Sequence, residues 1–226
     1  MSAELLVLTA LGAVLGLDVV SFPQAQVSRP LVAATAAGAF LGNPLAGVLA
    51  GATLELIALE TLPFGASRYP EWGSASVVAG ALYAERGEQV VGGLTTAVLA
   101  GLATAWIGGW TMVELRKLNA RWARQHLATL AAGSRRTVVG LQVAGLTADL
   151  VRGGLLTLLS FLLLRPVVHA SVSLWTLDAR YSRAFVAATA ATVAAGAAWK
   201  IFHTTAGARW FFLGGLVAGL AMLGLR

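Results

Sequence analysis

The chain has 226 residues, of which 58% are hydrophobic and 12% charged, and its mean hydropathy is +0.77. Soluble domains carry about 25% charged residues, so this composition excludes a water-soluble globule, and it is too apolar for a disordered chain. A net charge of +6 would point to nucleic acid in a soluble chain; here it reads as a topology signal, and the class expected is an all-α polytopic integral membrane bundle in contact with lipid, not nucleic acid.

Residues 5–17 form the first apolar run, which stops at Asp18. With Glu4 ahead of it and no basic start, it reads as a first membrane segment and a poor cleavable signal. Ser21 to Arg29 is polar. Residues 30–54 carry no charge, but Asn43-Pro44 interrupts them, since proline breaks the hydrogen-bond ladder. Two pieces are expected, about 30–42 and 44–62. Residues 63–72, PFGASRYPEW, read as a loop or broken turn, and 73–84 as a short apolar run. Residues 89–113 are long enough to cross a bilayer, with Trp106 and Trp110 placed as interfacial anchors. Residues 137–164 are apolar except for Asp149 and Arg152, and 184–199 and 210–225 are the last apolar runs.

A full crossing needs roughly 20 apolar residues, and several of these runs have only 12 to 16. Tilt and snorkelling flanks would extend them. The sharper reading is broken or re-entrant helices, whose irregular backbone must be buried or line a cavity, as at the substrate sites of transporters.

The most polar segment is 114–136, which holds Arg116, Lys117, Arg121, Arg124, Arg135 and Arg136 against the single acid Glu114. The positive-inside rule places it in the cytoplasm as a loop or surface helix, within a single membrane domain over 1–226. It either only fixes topology or also docks a soluble partner. Small-xxx-small pairs, Gly12/Gly16, Gly38/Gly42, Gly47/Gly51 and Gly215/Gly219, could each mark a close helix crossing.

Ionisable groups inside a membrane cost about 2.5–3.5 kcal/mol each on insertion scales. The informative charges are therefore those that interrupt apolar runs: Asp18, Arg29, Glu55, Glu60, Asp149 and Arg152. Glu55 is either the structural partner of Arg29 or an acceptor for ligand hydroxyls. Gln24, Gln26, Ser28 and Arg29 offer donors and acceptors suited to a neutral polyol or sugar, or else cap a loop. Asp149 and Arg152, spaced i,i+3, share a helix face as a structural ion pair. There is no cysteine, and His126, His169 and His203 are isolated, so no metal site, cofactor or catalytic residue is expected.

The stretch from Ser21 to Glu71 resembles the N-terminal half of enzyme IIC, the permease subunit of the mannose–fructose–sorbose family of the sugar phosphotransferase system. The match is carried by Ser28-Arg29-Pro30-Leu31, by LGNPLAG, by Glu55 in GATLEL, and by PFGASRYPE. Arg152 and the segment RWFFLGG extend it more loosely to the C-terminus. The resemblance implies a multi-pass protein of the bacterial cytoplasmic membrane that takes up a sugar as partner subunits phosphorylate it. It implies a IID-like membrane subunit and soluble IIA and IIB phosphocarriers, a hetero-oligomer of several copies, and no phosphorylated residue in this chain. It puts Gln24, Gln26, Arg29, Glu55 and the loop Gly65, Ala66 and Ser67 near the sugar. The alternative is a diverged relative serving as a non-transporting structural or accessory subunit of another membrane complex.

Overall fold

The computed structural model describes residues 3–19, 21–59, 61, 68–86, 90–203 and 205–224. Among them every regular element is a helix: α1 (Ala3–Asp18), α2 (Pro30–Phe40), α3 (Pro44–Ala58), α4 (Trp72–Arg86), α5 (Gly93–Gln125), α6 (Leu127–Ala131), α7 (Arg135–Ser173), α8 (Ala179–Phe202) and α9 (Ala208–Gly224).

The α2–α3 pair is a tight hairpin, and its sequence explains the turn. Both helices start on proline, whose missing N–H is no loss at a first helical position. Asn43 caps α3 by accepting from the Ala46 N–H at 3.1 Å, and its own N–H returns to the Gly38 carbonyl at 2.8 Å. Gly42 supplies the left-handed φ of +78° that reverses the chain. The two helices are pressed backbone to backbone: a Cβ on Gly47 would lie 2.5 Å from the Ala34 carbonyl oxygen, and one on Gly51 would lie 2.7 Å from that of Pro30. At about 1.5 Å per residue, α2 and α3 reach about 16 and 22 Å, too short for a hydrocarbon core of about 30 Å.

Helix α4 lies at the centre, buried from Trp72 to Ala84 and packed on α1, α2, α3, α5 and α7. A helix covered on all sides needs no polar face; its Ser74 and Ser76 are buried too, and Ser74 Oγ donates to the Gly12 carbonyl of α1 at 3.1 Å. Gly12 of α1 faces Thr157 of α7, and Gly16 faces Ser74 and Gly153, so this pair is a close crossing. Gly42 is a turn residue with open space around it, and Gly214, Gly215 and Gly219 also meet nothing within 4 Å.

Two elements run past the expected boundaries. The apolar run from Gly93 to 113 and half of the basic segment form one 33-residue helix, α5, because no glycine or proline lies between Gly109 and Gln125. Helix α7 continues through Pro166 to Ser173, as membrane helices tolerate. Trp106 and Trp110 are exposed on α5; Arg68 stacks over Trp106 at 4.9 Å, and Arg116 over Tyr69 at 5.1 Å. On α7, Arg165 pairs with Glu85 of α4 at 2.9 Å. The outer faces of α7, α8 and α9 expose large apolar residues such as Leu163, Phe185 and Phe211, the arrangement a lipid solvent selects.

Candidate functional site

A cavity of about 490 Å³ opens where the α2–α3 hairpin begins and ends. Its polar lining is Asp18, Gln24, Gln26, Ser28, Arg29, Glu55 and Thr61, with Trp72 among its walls. Arg29 Nε meets Glu55 Oε1 at 2.7 Å, and Glu55 Oε2 accepts the Leu31 N–H at 3.2 Å. Gln26 Oε1 is 3.4 Å from Arg29 Nη1. The Arg29 side chain is 51% exposed and that of Glu55 20%. A pair this open contributes only about 0.2–1 kcal/mol to stability. A carboxylate offers about four lone-pair positions; the ion pair and the Leu31 N–H engage two, which leaves room for hydroxyl donors.

The loop between α1 and α2 is shaped by Asp18. This carboxylate is 2% exposed and accepts the Ala25 N–H at 2.6 Å and the Ser28 N–H at 3.0 Å, so the chain wraps around it. Inside the wrap, Gln24 and Gln26 both adopt left-handed backbone, with φ of 60° and 61°. Each such residue without glycine's freedom costs on the order of 1–3 kcal/mol and persists only where the surroundings fix it. The Phe22–Pro23 peptide in this loop is cis. Trp72 completes a wall, its indole N–H donating to Thr61 Oγ1 at 3.3 Å.

Behind the loop lies a buried polar cluster. Asp149 of α7 is 1% exposed and holds Arg152, whose Nε and Nη2 are each 2.8 Å from Oδ1. Its other oxygen, Oδ2, accepts from Ser21 Oγ. Arg152 Nη1 lies 3.4 Å from Thr111 Oγ1 on α5. Glu71, also buried, caps α4 by accepting the Ser74 N–H at 3.1 Å.

A family profile described as PTS system sorbose-specific IIC component matches residues 1–223. The chain belongs to that family. It is 34% identical over 111 residues to the sorbose-specific EIIC component of Klebsiella pneumoniae, covering 49% of this chain and 40% of that protein. It is 32% identical over 102 residues to the fructose permease IIC component of Bacillus subtilis, covering 45% and 38%. It is 31% identical over 129 residues to the mannose-specific EIIC component of Escherichia coli K12, covering 56% and 46%. The chain thus spans less than half the length of these relatives. A solved structure described as that of a membrane protein superposes with a TM-score of 0.73 at 22% identity, covering 100% of this chain and 92% of the other. The mannose transporter ManYZ bound to microcin E492 gives 0.62 at 19% identity, covering 100% and 91%. These likenesses establish the fold: an all-α membrane bundle with broken helices.

Within this IIC chain, Gln24, Gln26, Arg29 and Glu55 line one cavity. Gly65, Ala66 and Ser67 lie outside the described residues, as do Glu60 and Pro63. Asp149 and Arg152 are paired and buried in the bundle interior. Asp18, Thr61 and Trp72 also line the cavity. Asp18 carried a signal, since it ended an apolar run. Trp72 and Thr61 carried none, because only the fold sets Trp72 beside the end of α3, where its indole N–H meets Thr61.

Proposed function

We propose that this chain is the IIC permease subunit of a mannose-type sugar phosphotransferase system, translocating a sugar while partner subunits phosphorylate it. The observation that carries the reading is the cavity at the open ends of the short hairpin. There an exposed ion pair, Arg29–Glu55, and two glutamines converge beside the indole of Trp72. Amides, a carboxylate and a guanidinium bind neutral polyols through paired donors and acceptors, and an aromatic wall adds apolar contact. Relatives named for sorbose, fructose and mannose support a ketose or hexose as ligand.

The same reading gives the chain its surroundings: the bacterial cytoplasmic membrane, a IID-like membrane partner, soluble IIA and IIB phosphocarriers, and one membrane domain over 1–226. The basic segment 114–136 lies on the cytoplasmic side. The sugar loop sits towards that end, since Ser21 lines a second cavity together with Asn119 and Trp122. A sugar released there is presented where soluble phosphocarriers can reach it.

The test is phosphoenolpyruvate-dependent phosphorylation of labelled D-mannose, D-fructose and L-sorbose by host membranes plus cytosol, with and without the gene for this chain. Loss of one activity on deletion, with a IID-like protein co-purifying, supports the proposal. Unchanged phosphorylation of all three sugars, with only unrelated membrane proteins co-purifying, supports a non-transporting subunit instead.

A further inference from the structure

The loop carrying Gln24, Gln26 and Arg29 is fastened by carboxylates from two different helices. Asp18 holds its middle through the Ala25 and Ser28 N–H groups. Asp149 holds its beginning through Ser21, from 128 residues away in sequence. The ion pair with Arg152 is made entirely through Oδ1 of Asp149, while Oδ2 is turned to the loop. A buried ion pair is weak evidence for stability in itself, and the polar link from this pair to α5 runs through Arg152 and Thr111. The Ser21 contact adds nothing to that helix pairing. What it fixes is the point at which the chain leaves α1, one turn before the two left-handed glutamines.

We propose that Asp149 is a positioning residue for the sugar cavity: through Ser21 it sets the register of the loop, so that Gln24 and Gln26 face Glu55. The proposal rests on the sugar reading above. Because Ser21 is half-buried and neutral, removing its hydroxyl leaves Asp149 with Arg152 and the helices packed.

The chain has no cysteine, so a spin label on Ala25→Cys, an exposed loop position, reports this loop alone. In the full chain in lipid bilayers, Ser21→Ala makes that label more mobile, and Ser21→Thr restores it. In the native host, Ser21→Ala raises the KM for whichever of mannose, fructose or sorbose is taken up by about tenfold, the effect of losing one hydrogen bond to a charged acceptor. Maximal rate and membrane level stay unchanged, and Ser21→Thr recovers the KM. A label as immobile in Ser21→Ala as in the parent overturns the proposal. So does a loosened label with normal KM. Glu55→Gln, run alongside, separates the two failures: normal KM for Ser21→Ala beside a defective Glu55→Gln refutes only the positioning role, whereas normal uptake in both refutes the sugar reading.

Discussion

Glu55→Gln keeps shape and volume and removes only charge, which makes it the most informative single change in the cavity. In the structure the carboxylate receives Arg29 Nε at 2.7 Å and the Leu31 N–H at 3.2 Å. The amide retains an oxygen for the Leu31 N–H, so the hairpin keeps that clasp. The ion pair it loses is half-exposed and is worth about 0.2–1 kcal/mol. The variant therefore inserts and assembles normally. The ligand feels more. A hydroxyl donating to a carboxylate gains about 1.5–3 kcal/mol, against about 0.5–1.5 kcal/mol for a neutral acceptor. The difference, about 1–1.5 kcal/mol per bond, weakens sugar binding by roughly 5- to 13-fold, and more if two hydroxyls are held. The assay is equilibrium binding of labelled mannose, fructose and sorbose to host membranes, with the chain quantified by immunoblot. Wild-type affinity at wild-type abundance would refute the assignment of Glu55 to the sugar. Loss of the protein from the membrane would refute the claim that the ion pair is energetically minor.

Gly47→Val and Gly42→Ala separate two uses of glycine in the hairpin. At Gly47 a Cβ meets backbone at 2.5 and 2.8 Å, so the close crossing of α2 and α3 is lost at a cost of about 1–3 kcal/mol or more. At Gly42 there is open space and only the φ of +78° resists, at about 1–2 kcal/mol; thermal unfolding in detergent should show the larger drop for Gly47→Val. Gln24→Gly relieves a left-handed residue, so its melting temperature holds or rises while sugar affinity falls; a lowered melting temperature would show that the loop is not strained there. Ala132→Cys, at the exposed turn between α6 and α7, should react with an impermeant maleimide in inside-out vesicles and not in right-side-out ones.

Glu55 was legible in the sequence because a carboxylate inside an apolar run needs a reason to be there, and the hairpin because Asn43-Pro44 cut an uncharged run into two pieces. The spacing of Asp149 and Arg152 likewise announced their pairing. Asp18 was seen only as the end of a run. Its work is done on the backbone N–H groups of Ala25 and Ser28, and backbone donors carry no residue identity. Ser21 could not be tied to Asp149, since no local pattern spans 128 residues. The expected boundary at residue 113 followed hydropathy, whereas α5 follows helix propensity and runs on to Gln125 through arginine, alanine and leucine.

The shortness of α2 and α3 is what creates the cavity. Two helices long enough to cross would place the start of the first and the end of the second at one surface, both in water, with no reason to be polar inside the protein. A hairpin of 11 and 15 residues instead turns back within the bundle, against α4. Its two open ends then lie side by side: the N-terminus of α2, whose Leu31 N–H has no partner within its own helix, and the last turn of α3, whose Glu55 accepts it. Helix N-termini attract carboxylates through their free N–H groups and partial positive charge, so Glu55 closes the hairpin from the opposite strand of the turn. Arg29 then follows, since it immediately precedes α2 and reaches the same carboxylate. The groups that satisfy the broken backbone are thus the groups that line the cavity. A ligand hydroxyl bound to Glu55 would therefore touch the clasp of the hairpin itself.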